Sequence, residues 1–174
     1  MLAGASPPLH AVALTGGEPL AQVEALVAWL PARARARTLP VLLETAGIFP
    51  HRLARVLPWV TIASLDIKCP SNTGERARWE EHAACVRAAV RAGCEVYVKL
   101  PVDETTAAEE VEQGARLVAD IDPQVPLFLT PLSEVRTPVL TITSATLERL
   151  QARASAVHRD VRVLPQLHKV LGIL

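Results

Sequence analysis

The run Thr15-Gly16-Gly17-Glu18-Pro19-Leu20 follows directly on the apolar stretch Ala11-Val12-Ala13-Leu14. Two glycines, an acid and a proline after an apolar run describe a strand that turns into a helix. Gly16 and Gly17 can adopt positive φ and let a ligand lie against bare backbone. Pro19 suits the first helical turn, where a missing N–H is no loss, and Glu18 falls at the positive helix end. The chemistry this predicts is capture of a group carrying an ammonium beside a carboxylate: Glu18 takes the cation and free N–H groups take the anion. Turns of this kind also occur as plain connectors with no ligand.

Other chemistry-bearing residues gather where apolar runs end. Glu44 and Thr45 close Val41-Leu42-Leu43; an acid there is costly unless paired or used, although both could cap a helix after Gly47. Ser64, Asp66 and Lys68 alternate and so share one strand face; Asp66 and Lys68 could form a structural ion pair. Lys99 ends a run expected to be buried, so its ammonium needs a carboxylate, Asp66 or Glu44. A histidine such as His168 near the carboxyl end is more often a surface or core residue than a catalyst. Of the three cysteines, Cys85 and Cys94 read as small buried apolar residues, and Cys69, just past a strand end, takes a site position. Their odd number and wide spacing describe neither a disulfide framework nor a local metal knuckle, so no metal ligand is expected among them.

The elements that must position these groups alternate. Strands are predicted at 11–15, 39–44, 60–67, 95–101, 126–131 and 161–164. Between them lie five helical patterns: Leu20 to Leu30, limited by Pro31; a short one around 50–57; 76–92, with Trp79, His82, Val86, Ala89 and Val90 on its stripe; 106–119, opened by a Thr106/Glu109 capping box; and 144–158. Strands that look apolar throughout, such as 96–102, suggest a parallel sheet covered on both faces. Alternating strand and helix gives right-handed crossovers, hence an α/β partial barrel or open sheet with its site at the carboxyl ends of the strands. The expectation is a single domain over 1–174, with 1–10 as an irregular lead-in.

Composition narrows the function. Half the residues are apolar but only 3% aromatic, so aliphatic side chains build the core. Lys plus Arg and Asp plus Glu both number 18, which argues against a nucleic-acid or anionic-membrane surface as the main partner. With no apolar run of membrane-spanning length and no leader pattern, a cytoplasmic protein is expected. The partner expected is a small molecule, with a homodimer as a further possibility.

TGGEPL resembles the methionine-binding motif of radical S-adenosylmethionine enzymes. Taken with Glu44-Thr45-Ala46-Gly47, Asp66-Ile67-Lys68-Cys69-Pro70-Ser71, Tyr97-Val98-Lys99 and the closing Pro165-Gln166-Leu167-His168-Lys169-Val170-Leu171-Gly172, the chain from Val12 onward resembles the 7-carboxy-7-deazaguanine synthases. The resemblance implies a partial barrel, S-adenosylmethionine, a [4Fe-4S] cluster and a magnesium ion. It also implies ring contraction of 6-carboxy-5,6,7,8-tetrahydropterin in queuosine and 7-deazapurine biosynthesis. It places Gly16, Gly17, Glu18, Glu44 and Ser64 on the cofactor, and Lys68, Lys99, Gln166 and His168 on the substrate side; it leaves the catalytic residue open. The departure is the absence of a CxxxCxxC cluster loop. A chain without it is expected to lack the first βα unit and to be catalytically incompetent as it stands. It would be a truncated product of a longer enzyme, a cluster-free binding relative, or a remnant. The alternatives are a glycyl-radical activating enzyme, which shares TGGEPL, and a cluster-free small-molecule binding module.

Overall fold

The computed structural model describes residues 10–35, 39–134 and 139–165. Six parallel strands form one sheet in strict chain order: β1 (Val12–Leu14), β2 (Val41–Thr45), β3 (Ile62–Asp66), β4 (Glu95–Val102), β5 (Leu127–Pro131) and β6 (Val161–Val163). All six predicted strands are present. The helices are α1 (Val23–Arg35), α2 (Pro50–Val56), α3 (Pro70–Thr73), α4 (Trp79–Arg91), α5 (Ala108–Ile121) and α6 (Ser144–Ser155). Among the described residues no helix is long and apolar enough to cross a membrane.

Chain-order pairing determines where the helices go. Successive right-handed crossovers that all step in one direction deposit every helix on the same face of the sheet. The helices accordingly pack on their neighbours as one layer, α1 on α2, α2 on α4, α4 on α5 and α5 on α6. Between that layer and the sheet lies the core, with Leu43, Leu65, Val98, Leu100, Leu127 and Leu129 fully buried. Burial alternates along β2, β4 and β5, as a sheet clad on one side requires. The expectation of cover on both faces is therefore corrected. The second face carries Glu44, Ser64, Asp66, Tyr97, Lys99, Phe128 and Arg162, and no described helix packs on it. The fold is an α/β partial barrel whose polar face is its concave wall.

Several local expectations shift. Pro31 lies inside α1 rather than ending it; its missing N–H deprives the Val27 carbonyl of its helical donor. The 76–92 pattern forms α4, and a short unpredicted helix, α3, precedes it and ends at Gly74, which takes φ +69°. Thr106 does not cap α5, whose N-cap is Ala107 with no side-chain bond. The Thr106 hydroxyl is already engaged, accepting from the Asp103 amide at 2.9 Å and donating to the Asp103 carboxylate at 3.1 Å. Thr143 caps α6 by accepting from the Thr146 amide.

Candidate functional site

The turn after β1 takes the predicted form. Gly16 and Gly17 have φ of +87° and +57°, and a Cβ built on either meets nothing within 4 Å. Two peptides at the strand tip thus lie under open space, where a ligand can rest on backbone. Glu18 is the N-cap of a single 3₁₀ turn, Pro19–Gln22, that leads into α1. Its Oε1 accepts from the Leu20 amide at 3.0 Å and from the Thr45 hydroxyl at 2.7 Å. Its Oε2 accepts from the Ala46 amide at 2.7 Å. Glu18 is therefore not a bare anion awaiting a cation. Two of its roughly four acceptor positions clamp the tip of β2 to the tip of β1, a third caps its own 3₁₀ turn, and one, on Oε2, remains. Thr45, which could have capped a helix, serves this clamp instead.

The concave face carries a second charged group. Glu44, Ser64 and Tyr97 are register partners on β2, β3 and β4, and Asp66, Lys99, Phe128 and Arg162 are partners on β3 to β6. Lys99 Nζ lies 3.2 Å from Glu44 Oε1 and 4.0 Å from Asp66 Oδ1. Glu44 also accepts from the Thr15 hydroxyl at 3.0 Å. The two carboxylates that the sequence offered to Lys99 share it, and Asp66 pairs with Lys99 rather than Lys68. Burial raises the Asp66 pKa; the Lys99 and then the Lys68 ammonium oppose that, while Glu44 and Glu18 reinforce it. Lys68 is exposed at the tip of β3.

Ser64 is fully buried in the middle of this face. Its hydroxyl has no hydrogen-bond partner among the described residues, and neither has the buried Thr130 hydroxyl at the end of β5. Buried polar groups are normally paired, so two orphan hydroxyls on one wall mark a surface suited to a polar occupant. Beside Ser64, Tyr97 meets Phe128 edge to face at 5.8 Å and the Arg162 guanidinium covers Phe128 at 5.6 Å. These rings floor the concave wall. Gln166 and His168 lie outside the described residues.

Cys69 is corrected. It is fully buried in the core, and burial, with Glu110 and Asp103 adding to it, pushes its thiol up to about 12. Cys85 is likewise buried and raised to about 12, chiefly by desolvation. Cluster binding needs exposed thiolates converging on one point, and these cysteines do not supply them. Among the described residues no group of His, Cys, Asp and Glu side chains is arranged to hold a metal ion. The described residues thus fit a nucleoside cofactor with an amino-acid end, through the bare glycine peptides and the orphan hydroxyls, but supply no thiolate set for an iron–sulfur cluster.

One residue escaped the sequence reading. His82 on α4 belongs to the apolar stripe, yet its ring reaches through the core to the strand tips. Nδ1 lies 3.0 Å from the Gly47 carbonyl, and Nε2 lies 3.4 Å from the Lys68 amide. Helical spacing gives its burial but nothing about these partners.

The 7-carboxy-7-deazaguanine synthase of Geobacter sulfurreducens is 32% identical to the chain over 169 residues, 97% of this chain and 66% of the relative. Those of Methanopyrus kandleri and Thermococcus kodakarensis are 31% and 30% identical over 94% and 95% of this chain. This chain is a homologue of the 7-carboxy-7-deazaguanine synthases. It spans 60% to 66% of the length of these three synthases. No protein-family profile matches it. In structure it is similar to a domain of pyruvate-formate lyase-activating enzyme from Bacteroides vulgatus, with a TM-score of 0.70 over 89% of this chain and 99% of that one. At 17% identity that likeness shows the fold alone, an α/β partial barrel. The synthase homology is carried by the sequence.

Proposed function

We propose that this chain forms the cofactor- and substrate-lining part of a radical S-adenosylmethionine enzyme of the 7-carboxy-7-deazaguanine synthase type, acting on a carboxylated pterin. The observation that carries this reading is the strand-tip cradle of two bare glycine peptides beside Glu18, opening onto a concave face with an unpartnered buried hydroxyl. The homology supplies the chemistry to which such a cradle belongs.

In this reading the peptides of Gly16 and Gly17 lie along the methionine end of the cofactor. Glu18 offers the remaining acceptor of Oε2 to the ammonium group, held in place by its three existing bonds. Ser64 and Glu44 face the nucleoside, and Lys68 and Lys99 face the substrate. When bound, S-adenosylmethionine supplies a sulfonium that one-electron reduction cleaves. The chain's own task is to orient and to exclude water, and both follow from a wall already fixed by strand pairing. No step is routed through a cluster, because the described residues do not build one.

Calorimetry with S-adenosylhomocysteine, which is redox-inert, tests the reading. The chain should bind it, and Glu18→Gln should weaken binding about tenfold or more, the loss of a charge-assisted hydrogen bond. Glu24→Gln should leave binding unchanged, since Glu24 pairs with Arg55 out on α1 and α2. A folded Glu18→Gln chain that binds as well as the unaltered one refutes the role of Glu18.

The fate of the cysteines favours a second reading, a nucleoside- or pterin-binding module without radical chemistry. Anaerobic reconstitution with iron and sulfide tests the second reading: a visible charge-transfer band from this chain refutes the cluster-free module.

A further inference from the structure

We infer that His82 is a positioning residue that sets how the tips of β2 and β3 face each other across the candidate cofactor site. It rests on the reading of that rim as a ligand site. The ring is only 1% exposed and its two nitrogens span two loops. The Gly47 carbonyl can only accept, at 3.0 Å from Nδ1, and the Lys68 amide can only donate, at 3.4 Å from Nε2. One ring state satisfies both: neutral imidazole with its proton on Nδ1. The other tautomer presents a lone pair to the carbonyl and an N–H to the amide. Imidazolium loses the Lys68 contact.

The surroundings hold the ring in that state. Desolvation lowers its pKa to about 4, opposed by the Gly47 bond and by Glu81 on its own helix, and assisted by Arg78 and Lys68. Gly47 is equally constrained. Its φ is +65°, and a Cβ there would lie 2.8 Å from the Asp66 carbonyl and 3.4 Å from His82 Nδ1. The junction is thus backbone against backbone, with the imidazole bracing it from behind.

Each braced loop leads into the site. From Gly47 the chain runs back through Ala46 and Thr45, whose amide and hydroxyl hold Glu18 at 2.7 Å. From Lys68 it runs back to Asp66, which shares Lys99 with Glu44. A shift of the ring therefore displaces the ammonium anchor and the substrate-facing lysine relative to one another. No other described side chain bonds to both loops.

Two measurements test this. Long-range proton–nitrogen NMR on the unaltered chain at pH 7 should show Nδ1 protonated and Nε2 bare, and both resonances should move when S-adenosylhomocysteine is added. The opposite tautomer, an imidazolium, or a ring unmoved by bound ligand overturns the inference. In His82→Asn, whose shorter side chain can still donate to Gly47, hydrogen exchange of the Lys68 amide should speed about tenfold, and unchanged exchange counts against the brace. For ligand affinity, His82→Leu should bind S-adenosylhomocysteine about tenfold more weakly, with His82→Gln, which can still accept from Lys68, between it and the unaltered chain. Equal affinity in a folded His82→Leu chain overturns the positioning role. If the unaltered chain binds no S-adenosylhomocysteine, the positioning role falls together with the proposed function, while tautomer and exchange still judge the brace.

Discussion

Replacing Gly47 by alanine measures how tightly the β2 and β3 tips are joined, and the molecule contains its own control. Gly47 and Gly74 have nearly the same backbone conformation, φ +65° and +69°. An alanine at either pays about 1 kcal/mol for the left-handed region. At Gly74 the added Cβ meets nothing within 4 Å, whereas at Gly47 it meets the Asp66 carbonyl at 2.8 Å. That carbonyl belongs to backbone and cannot swing aside, so the turn must shift and loosen the His82 bond, a further loss of about 1 kcal/mol. With the strain of displacing paired strands, Gly47→Ala should cost about 3 kcal/mol and Gly74→Ala about 1 kcal/mol. In a chain of this size that is a fall in Tm of about 6–12 °C against about 2–4 °C. Urea unfolding at pH 7, read by circular dichroism, gives both values. Equal destabilisation of the two variants would refute the close approach on which the joined tips depend.

Ser64→Ala should leave stability within about 0.5 kcal/mol, because its hydroxyl makes no bond to lose, while weakening S-adenosylhomocysteine binding by calorimetry; a large loss of stability would mean the hydroxyl is paired. Lys99→Met leaves Glu44 and Asp66 facing each other without their shared cation. Its destabilisation should be larger at pH 7 than at pH 5, where a carboxylate can protonate, and urea midpoints at the two pH values check this. The depressed His82 pKa contributes stability that is present above its ordinary value near 6.5 and lost as pH falls toward about 4. Because the ring is buried, the integrated effect is about 3 kcal/mol. His82→Gln should flatten the unfolding free energy across that window, and an unchanged slope would show that the ring does not resist charging.

The six strands were legible because each is a compact apolar run between helical patterns. Their faces were not. Along β4, Tyr97 and Pro101 count as apolar and fill the alternate positions among Val96, Val98, Leu100 and Val102, so a strand with one open face reads as buried on both. Phe128 disguises β5 in the same way. The charge partners of Lys99 were legible from desolvation cost, since a lysine ending an apolar run needs a carboxylate and Glu44 and Asp66 close other apolar runs. The internal bonding of Glu18 was hidden, because nothing in TGGEPL says that Thr45 and Ala46, on the next strand, donate to it. Cys69 misled by position: a residue one step past a strand end can turn into the core as readily as toward the site, and the sequence does not fix which.

The strict chain order of the sheet also bears on how the protein is made. Among the described residues no strand is inserted between two earlier ones, so each new βα unit adds to an edge that is already complete. A chain leaving the ribosome can thus assemble its sheet in the order of synthesis, one ladder at a time, without reopening a finished pair.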